Sequence, residues 1–373
     1  MSFNPVPQVM VKWIVVLIAV GALLAMAVLA MPVQLWRTGE MAQPELQYLP
    51  VSQEAVRPGR VWIDTDAACG SGRRSDPDDC LAVLSLASAA QINIAGISTV
   101  FGNAPVSETY RVMRALVLKL GADAGRPPSA PLPVFKGCGG AAHRCMQDGG
   151  SLEAQAALRQ ALQRGSLDYV ALGPLTNLAA VLAHDSALAT RVTRVIAVMG
   201  RRPGHRFHPS ENRATGAMLF GHGPIFRDLN AVLDPQAVSV VLASGIPLVL
   251  IPYTAARQVS VTGHDLDFVA HTGPAGQWVA ERSREWLAFW RSEAGLEGFY
   301  PFDLMAAAYA RDPTHFGCAR VTAWVGNDAL LPWFGGGLAL LVAQQGGLPA
   351  LPTATAQALY CDAVRVNVRK LFL

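Results

Sequence analysis

Apolar residues recur with two different periods along this 373-residue chain. From Arg60 onward, short β-prone apolar runs alternate with longer stretches that carry apolar residues at helical spacing. Segments 61–64, 92–99, 169–172, 195–199 and 247–251 are expected as strands, and 79–90, 106–120, 152–164, 175–183 and 235–244 as helices. This order predicts an α/β fold with a mostly parallel central sheet and helices on both faces. Ligands of such sheets sit at the carboxyl ends of strands. The polar residues that stand out, Asp64 and Asp66, Asn103 and the turn after Leu172, all fall there.

The N-terminus follows another pattern. Residues 13–31 are apolar or small without a charge, and nineteen residues at ~1.5 Å each approach the ~30 Å hydrocarbon core of a bilayer. Residues 1–12 are then a short cytoplasmic N-terminus, 13–31 a transmembrane anchor or the apolar region of a secretory signal cut after Ala30, 32–59 a linker, and 60–373 the domain. Under either reading Lys12 stays inside and the domain is exported, membrane-anchored or free in the periplasm. The six cysteines fit that placement: Cys138 with Cys145 closes a short loop and Cys69 with Cys80 clamps a longer one, the alternative being free thiols.

Composition narrows the function. Half the residues are hydrophobic and only 15% charged, which supports a large core, and a net charge of +3 lacks the basic footprint of a nucleic-acid binder. Asp64 and Asp66 leave the first strand, and Asp78 and Asp79 open the next helix, four carboxylates flanking one loop. Acids in a first helical turn commonly cap it. Four around one loop repel unless a cation or protons relieve them. Oxygen-only ligands favour a hard ion, calcium before magnesium.

Asp64-Thr65-Asp66 followed by Asp76-Pro77-Asp78-Asp79 resembles the aspartate fingerprint of the inosine-uridine-preferring nucleoside hydrolases. Further segments are similar to that family in the same order: Ile97 to Asn103, the Gly173-Pro174-Leu175-Thr176-Asn177 turn, Val198-Met199-Gly200, Asp228-Leu229-Asn230 and Pro301-Phe302-Asp303. The resemblance implies calcium-dependent hydrolysis of the N-glycosidic bond of ribonucleosides to free base and ribose. It implies a calcium ion held by Asp66, Asp79, Asp303 and the main-chain carbonyl of Leu172, with Asp66 activating a metal-bound water. Asp78, Asn103, Met199, His222, Asp228 and Asn230 are implied in ribose binding, Phe302 and His143 in the leaving-group pocket, and Asp64 in a supporting place. Members are often oligomeric, which makes a homo-oligomer an expectation here.

Two features depart from the family pattern. Eleven residues separate Asp66 from Asp78 where the family has three, and Phe302 stands where many members have a histidine. Phenylalanine stacks but donates no proton. Arg73 and Arg74 in the long loop either reach a substrate phosphate or are simply solvated. The same scaffold also suits a nucleoside- or ribose-binding protein without turnover. An aspartate-nucleophile phosphatase fits less well, because Ala68 stands where that pattern has Thr or Val.

Overall fold

The computed structural model describes residues 46–51, 59–72, 75–123, 132–141, 144–203, 228–327, 338–344 and 355–373. Its strands are β1 (Leu49–Pro50), β2 (Gly59–Thr65), β3 (Ile92–Thr99), β4 (Val134–Lys136), β5 (Leu167–Ala171), β6 (Val192–Ala197), β7 (Leu248–Leu250), β8 (Val261–Thr262), β9 (Gly298–Phe299), β10 (Phe316–Asn327), β11 (Leu338–Ala343) and β12 (Thr355–Val364). The α-helices are α1 (Asp78–Ser88), α2 (Val106–Asp123), α3 (Glu153–Arg164), α4 (Thr176–His184), α5 (Leu229–Leu233), α6 (Pro235–Ala243), α7 (Tyr253–Ala256), α8 (Gly263–Ala270), α9 (Pro274–Phe289) and α10 (Phe302–Arg311). The main sheet runs β1-β10-β12-β7-β6-β5-β2-β3-β4, and every pairing from β12 to β4 is parallel.

Successive strands step outward in opposite directions from one point: β2, β3, β4 on one side and β5, β6, β7 on the other. A sheet that reverses order in this way opens a crevice at its carboxyl edge. The crevice lies between the ends of β2 and β5, where Asp64 and Leu172 stand.

Strand β2 shows how sequence builds the layers. Val61 and Ile63 enter one core with α1, α9 and α10, whereas Trp62 enters the other with α3, α4 and α6. Strict alternation of side-chain direction produces this split, and helices cover both faces. Trp62 stacks on Phe135 of β4 with ring centroids 5.8 Å apart.

The structure differs from the expected domain limits at residues 46–51. This part of the anticipated linker packs on the domain, with Leu49–Pro50 pairing antiparallel to Cys318 and Gly317 and Leu46 buried. An apolar dipeptide finds hydrogen bonds on an otherwise open edge strand. The antiparallel margin of β10, β11 and β12 was likewise not expected from the pattern. Segment 13–31 lies outside the described residues; among those described, no helix is long and apolar enough to cross a membrane.

All six cysteines are bridged: Cys69–Cys80, Cys138–Cys145 and Cys318–Cys361. The third joins register partners of β10 and β12, residues 43 apart in sequence.

Helices α1 and α10 pack against each other, and the alanines of α10 are buried. Asp303, Ala306 and Ala307 share one face of α10, because residues three and four apart are helical neighbours. These small buried residues let the two helices approach closely. Ala307→Leu is expected to overpack this contact and cost about 1–3 kcal/mol, seen as a lower urea midpoint with an unchanged m-value.

Candidate active site at the carboxyl edge of the sheet

Asp66 lies just past the end of β2, wedged between two glycines. A Cβ on Gly102 would come within 1.8 Å of its Oδ2, and one on Gly173 within 3.2 Å of its Cβ. Only glycine leaves room for the carboxylate at the first position. The Asn103 main-chain N–H donates to Asp66 Oδ2 at 2.8 Å. The Asn103 side-chain amide then donates to both Asp66 Oδ1, at 3.4 Å, and Asp79 Oδ2, at 3.2 Å. One amide thus straddles two carboxylates from opposite ends of the long loop.

Asp78 and Asp79 open α1, and Asp303 lies in the first turn of α10. Carboxylate oxygens of these three lie within 4.8 Å of one another. The Asp303 N–H donates to Asp78 Oδ2 at 2.8 Å, and the Thr65 hydroxyl donates to Asp79. Residues 225 positions apart are joined here because two helix N-termini converge on the same point. Each terminus offers roughly half a positive charge, so together they answer about one of the four carboxylates.

The remaining charge has no cationic partner among the described residues. Asp66, Asp78, Asp79 and Asp303 are buried, and among the described residues no lysine, arginine or histidine pairs with them. Burial, and then the charge of Asp78, pushes Asp79 up to about 7. Burial and the neighbouring acids hold Asp66 and Asp303 well above the usual carboxylate range, and burial raises Asp78. A divalent cation would remove the cause of these shifts, and the donors are all hard oxygens. The residues therefore fit a hard metal ion.

Asp64 occupies a layer below. Its Oδ1 accepts from the Ser98 hydroxyl (2.6 Å) and the Asn177 amide (2.8 Å), and its Oδ2 from the Tyr169 hydroxyl (2.5 Å). Trp62 Nε1 donates in turn to Ser98 at 2.8 Å. Burial still raises the Asp64 carboxyl to about 6, against the pull of its three donors. Its main-chain carbonyl accepts from the Leu172 N–H at 2.8 Å, which fixes the turn carrying the Leu172 carbonyl.

That carbonyl accepts from Asn230 Nδ2 at 2.7 Å, and the same amide reaches the Val198 carbonyl at 3.0 Å. A carbonyl has two lone pairs, so one stays open for a ligand. Asp228 caps α5 by accepting from the Ala231 N–H and also accepts from the Gly200 N–H at 2.6 Å. Burial raises it to about 6. Met199 is buried at the end of β6 in the core that holds Trp62. Phe302 begins α10 half-buried beside Asp303. His143 and His222 lie outside the described residues, as do Arg73 and Arg74.

Several participants were not singled out from sequence. Asp76 accepts from the Asp78 N–H at 3.2 Å, and burial with the Asp78 charge holds it well above its usual range. Its place in Asp76-Pro77-Asp78-Asp79 was the available signal. Thr65 and Ser98 lie within segments that resemble the family but look like packing as hydroxyls on buried strands, and Tyr169 carries no signal.

A family model described as inosine-uridine preferring nucleoside hydrolase matches residues 61–331. The chain belongs to that family. One relative, the pyrimidine-specific ribonucleoside hydrolase RihA of Klebsiella pneumoniae subsp. pneumoniae, is 28% identical over 54% of this chain, and the match spans little more than half (56%) of that protein. The probable uridine nucleosidase 2 of Oryza sativa subsp. japonica is 25% identical over 69% of this chain and 75% of its own. Among solved structures, a plant nucleoside hydrolase superposes with a TM-score of 0.62 at 20% identity, covering 84% of this chain and 98% of that one. A purine-preferring ribonucleoside hydrolase from Gardnerella vaginalis gives 0.60 at 18% identity, covering 84% and 95%. The nucleoside hydrolase fold thus persists around a lengthened aspartate loop.

The raised carboxyls set a pH dependence. Asp64, Asp79 and Asp228 bind protons more tightly folded, at about 6 to 7, than unfolded, at about 3.8. The stability they contribute is full below pH 4 and is lost as pH rises through 6–7. In chelator the melting temperature should therefore fall between pH 4.5 and 7.5, and calcium should abolish the part of this fall that arises at Asp79.

Proposed function

We propose that this protein hydrolyses the N-glycosidic bond of ribonucleosides, releasing free base and ribose, with one calcium ion in the acidic crevice. The observation that carries the reading is the group of buried carboxylates at the switch point, with no cationic side chain among the described residues to balance them. Asp66, Asp79, Asp303 and the open lone pair of the Leu172 carbonyl would hold the ion, and the closeness of Asp78 to the carboxylate oxygens of Asp79 and Asp303 makes it a further ligand or a ribose contact. Bound calcium supplies positive charge that orients the ribose hydroxyls and acidifies the attacking water.

The chain's own groups do the rest. Asp66 takes the proton from the attacking water as the sugar develops oxocarbenium character. The surrounding carboxylates stabilise that developing charge. Asp78 and Asn103 hold ribose hydroxyls, with Asn230, Asp228 and Met199 forming the wall behind them. His222 is a further proposed ribose contact and His143 a proposed neighbour of the base. Phe302 offers a face for the leaving base rather than a proton, so the base departs through stacking and solvent protonation.

Three disulfides support an exported domain working in an oxidising compartment, tethered or released by segment 13–31. Phe302 also supports a second reading, in which the site captures nucleosides without cleaving them.

The test is release of ribose from uridine, cytidine, inosine, adenosine and guanosine, with calcium and with chelator. Calcium-dependent release is expected, and Asp66→Asn should lower kcat by roughly 10²–10⁴-fold, the usual worth of a general base. Binding of nucleosides with no release from any would replace hydrolysis by capture.

A further inference from the structure

Eleven residues stand between Asp66 and Asp78. Cys69 follows Asp66 by three positions and Cys80 follows Asp79 directly, so their disulfide closes the loop at its base, beside the carboxylates. The two Cα atoms are 6.4 Å apart, and the chain returns to where it left. Both cysteines are buried, in the same core cluster as Ala67 and Leu81.

Other attachments of the described loop residues lie farther out. Ser71 N–H donates to the Ala68 carbonyl and Ser75 N–H to the Gly72 carbonyl, each within one limb. The Ser71 hydroxyl reaches Glu108 on the exposed side of α2. Gly70, at φ +72°, lies against the aliphatic stem of Arg282, which stacks on Trp278 at 3.9 Å. None of these joins the limb bearing Asp66 to the helix bearing Asp79. Only hydrogen bonds do so, one from the Thr65 hydroxyl to Asp79 and two from the Asn103 amide, against the repulsion of the carboxylates they touch.

We propose that the Cys69–Cys80 bridge is a positioning element of the acidic site, holding the limb that carries Asp66 to the helix that carries Asp79, so that oxidation of this pair tightens cation binding. The inference rests on the cation-binding part of the proposed function. Closing the bridge removes two electrons and two protons from the thiols, and an external disulfide accepts them to become two thiols. A dithiol reductant runs the same exchange backwards.

The test compares the full-length protein with Cys69→Ser/Cys80→Ser and with Cys318→Ser/Cys361→Ser, which opens a bridge at the far margin of the sheet. Calcium affinity is measured by calorimetry, folding by thermal melting, and ribose release across calcium concentrations. The first pair should bind calcium roughly 10–100-fold more weakly, the range seen when support behind metal ligands is lost. It should also melt cooperatively and recover ribose release in excess calcium. The second pair should keep wild-type calcium affinity.

If the first pair does not melt cooperatively, wild-type protein is partly reduced with a dithiol and the opened bridges are mapped by alkylation. Calcium affinity of the folded fraction should then fall with opening of Cys69–Cys80 alone. Unchanged affinity on opening that bridge, or an equal loss on opening Cys318–Cys361, overturns the proposal and leaves the hydrolase reading standing. A wild-type protein that binds no calcium overturns the cation reading and this inference with it.

Discussion

Four carboxylates share a buried crevice, and their mutual repulsion is the constraint around which the molecule is arranged. Asp66, Asp78, Asp79 and Asp303 come from three places in the chain, yet all sit at or near zero exposure. Burying even one unpaired carboxylate costs several kcal/mol. The fold offsets part of this with two helix N-termini, the Asn103 amide and the Thr65 hydroxyl. These are dipoles against net charge, and the raised carboxyls show that they do not suffice. An acidic cluster left this unbalanced has the chemistry to hold a cation.

Support for that crevice is layered. Beneath it, Asp64 ties β2 to β3 through Ser98, to β5 through Tyr169 and to α4 through Asn177. Asn177 also receives the Cys138 N–H and donates to the Thr99 carbonyl, so the same network reaches the end of β4. Strands β2, β3 and β5 each lead into a residue of the crevice. The Leu172 carbonyl, Asn103 and Asp66 are thereby placed by hydrogen bonds made one layer below them. Above, the chain is free to vary, because a closed loop adds little to the cost of folding as it lengthens. That asymmetry explains how a nucleoside hydrolase tolerates eight additional residues inside its aspartate fingerprint.

Much of this architecture could be read from residues alone. Periodicity separates strands from helices because alternation and the 3.6-residue repeat are local properties. Expected β3 and observed β3 agree at residues 92–99, and helix α3 differs by one residue at its start. The acidic cluster was legible for a similar reason, since Asp64, Asp66, Asp78 and Asp79 lie within sixteen positions and their like charge needs explanation wherever they fold. The antiparallel margin was less legible. Its strands β10 and β12 carry apolar runs broken by segments that do not alternate with helices, and the pairing of Leu49–Pro50 with β10 depends on contacts more than 260 residues apart.

The sequence by itself determined the α/β class, the carboxyl-edge placement of the site and its acidic chemistry, because each follows from residue type and short-range spacing. Tertiary structure decided which acids meet. Asp303 joins Asp78 only because α1 and α10 pack together, and Asp64 serves Tyr169 and Asn177 only because β2 lies beside β5. It also decided what the long loop does. Spacing counts the residues between Asp66 and Asp78, but only the folded chain brings Cys69 back to Cys80 and both ends of the loop to one crevice. Burial, which turns four ordinary carboxylates into a site that calls for a cation, is a property of the assembled layers and of no segment alone.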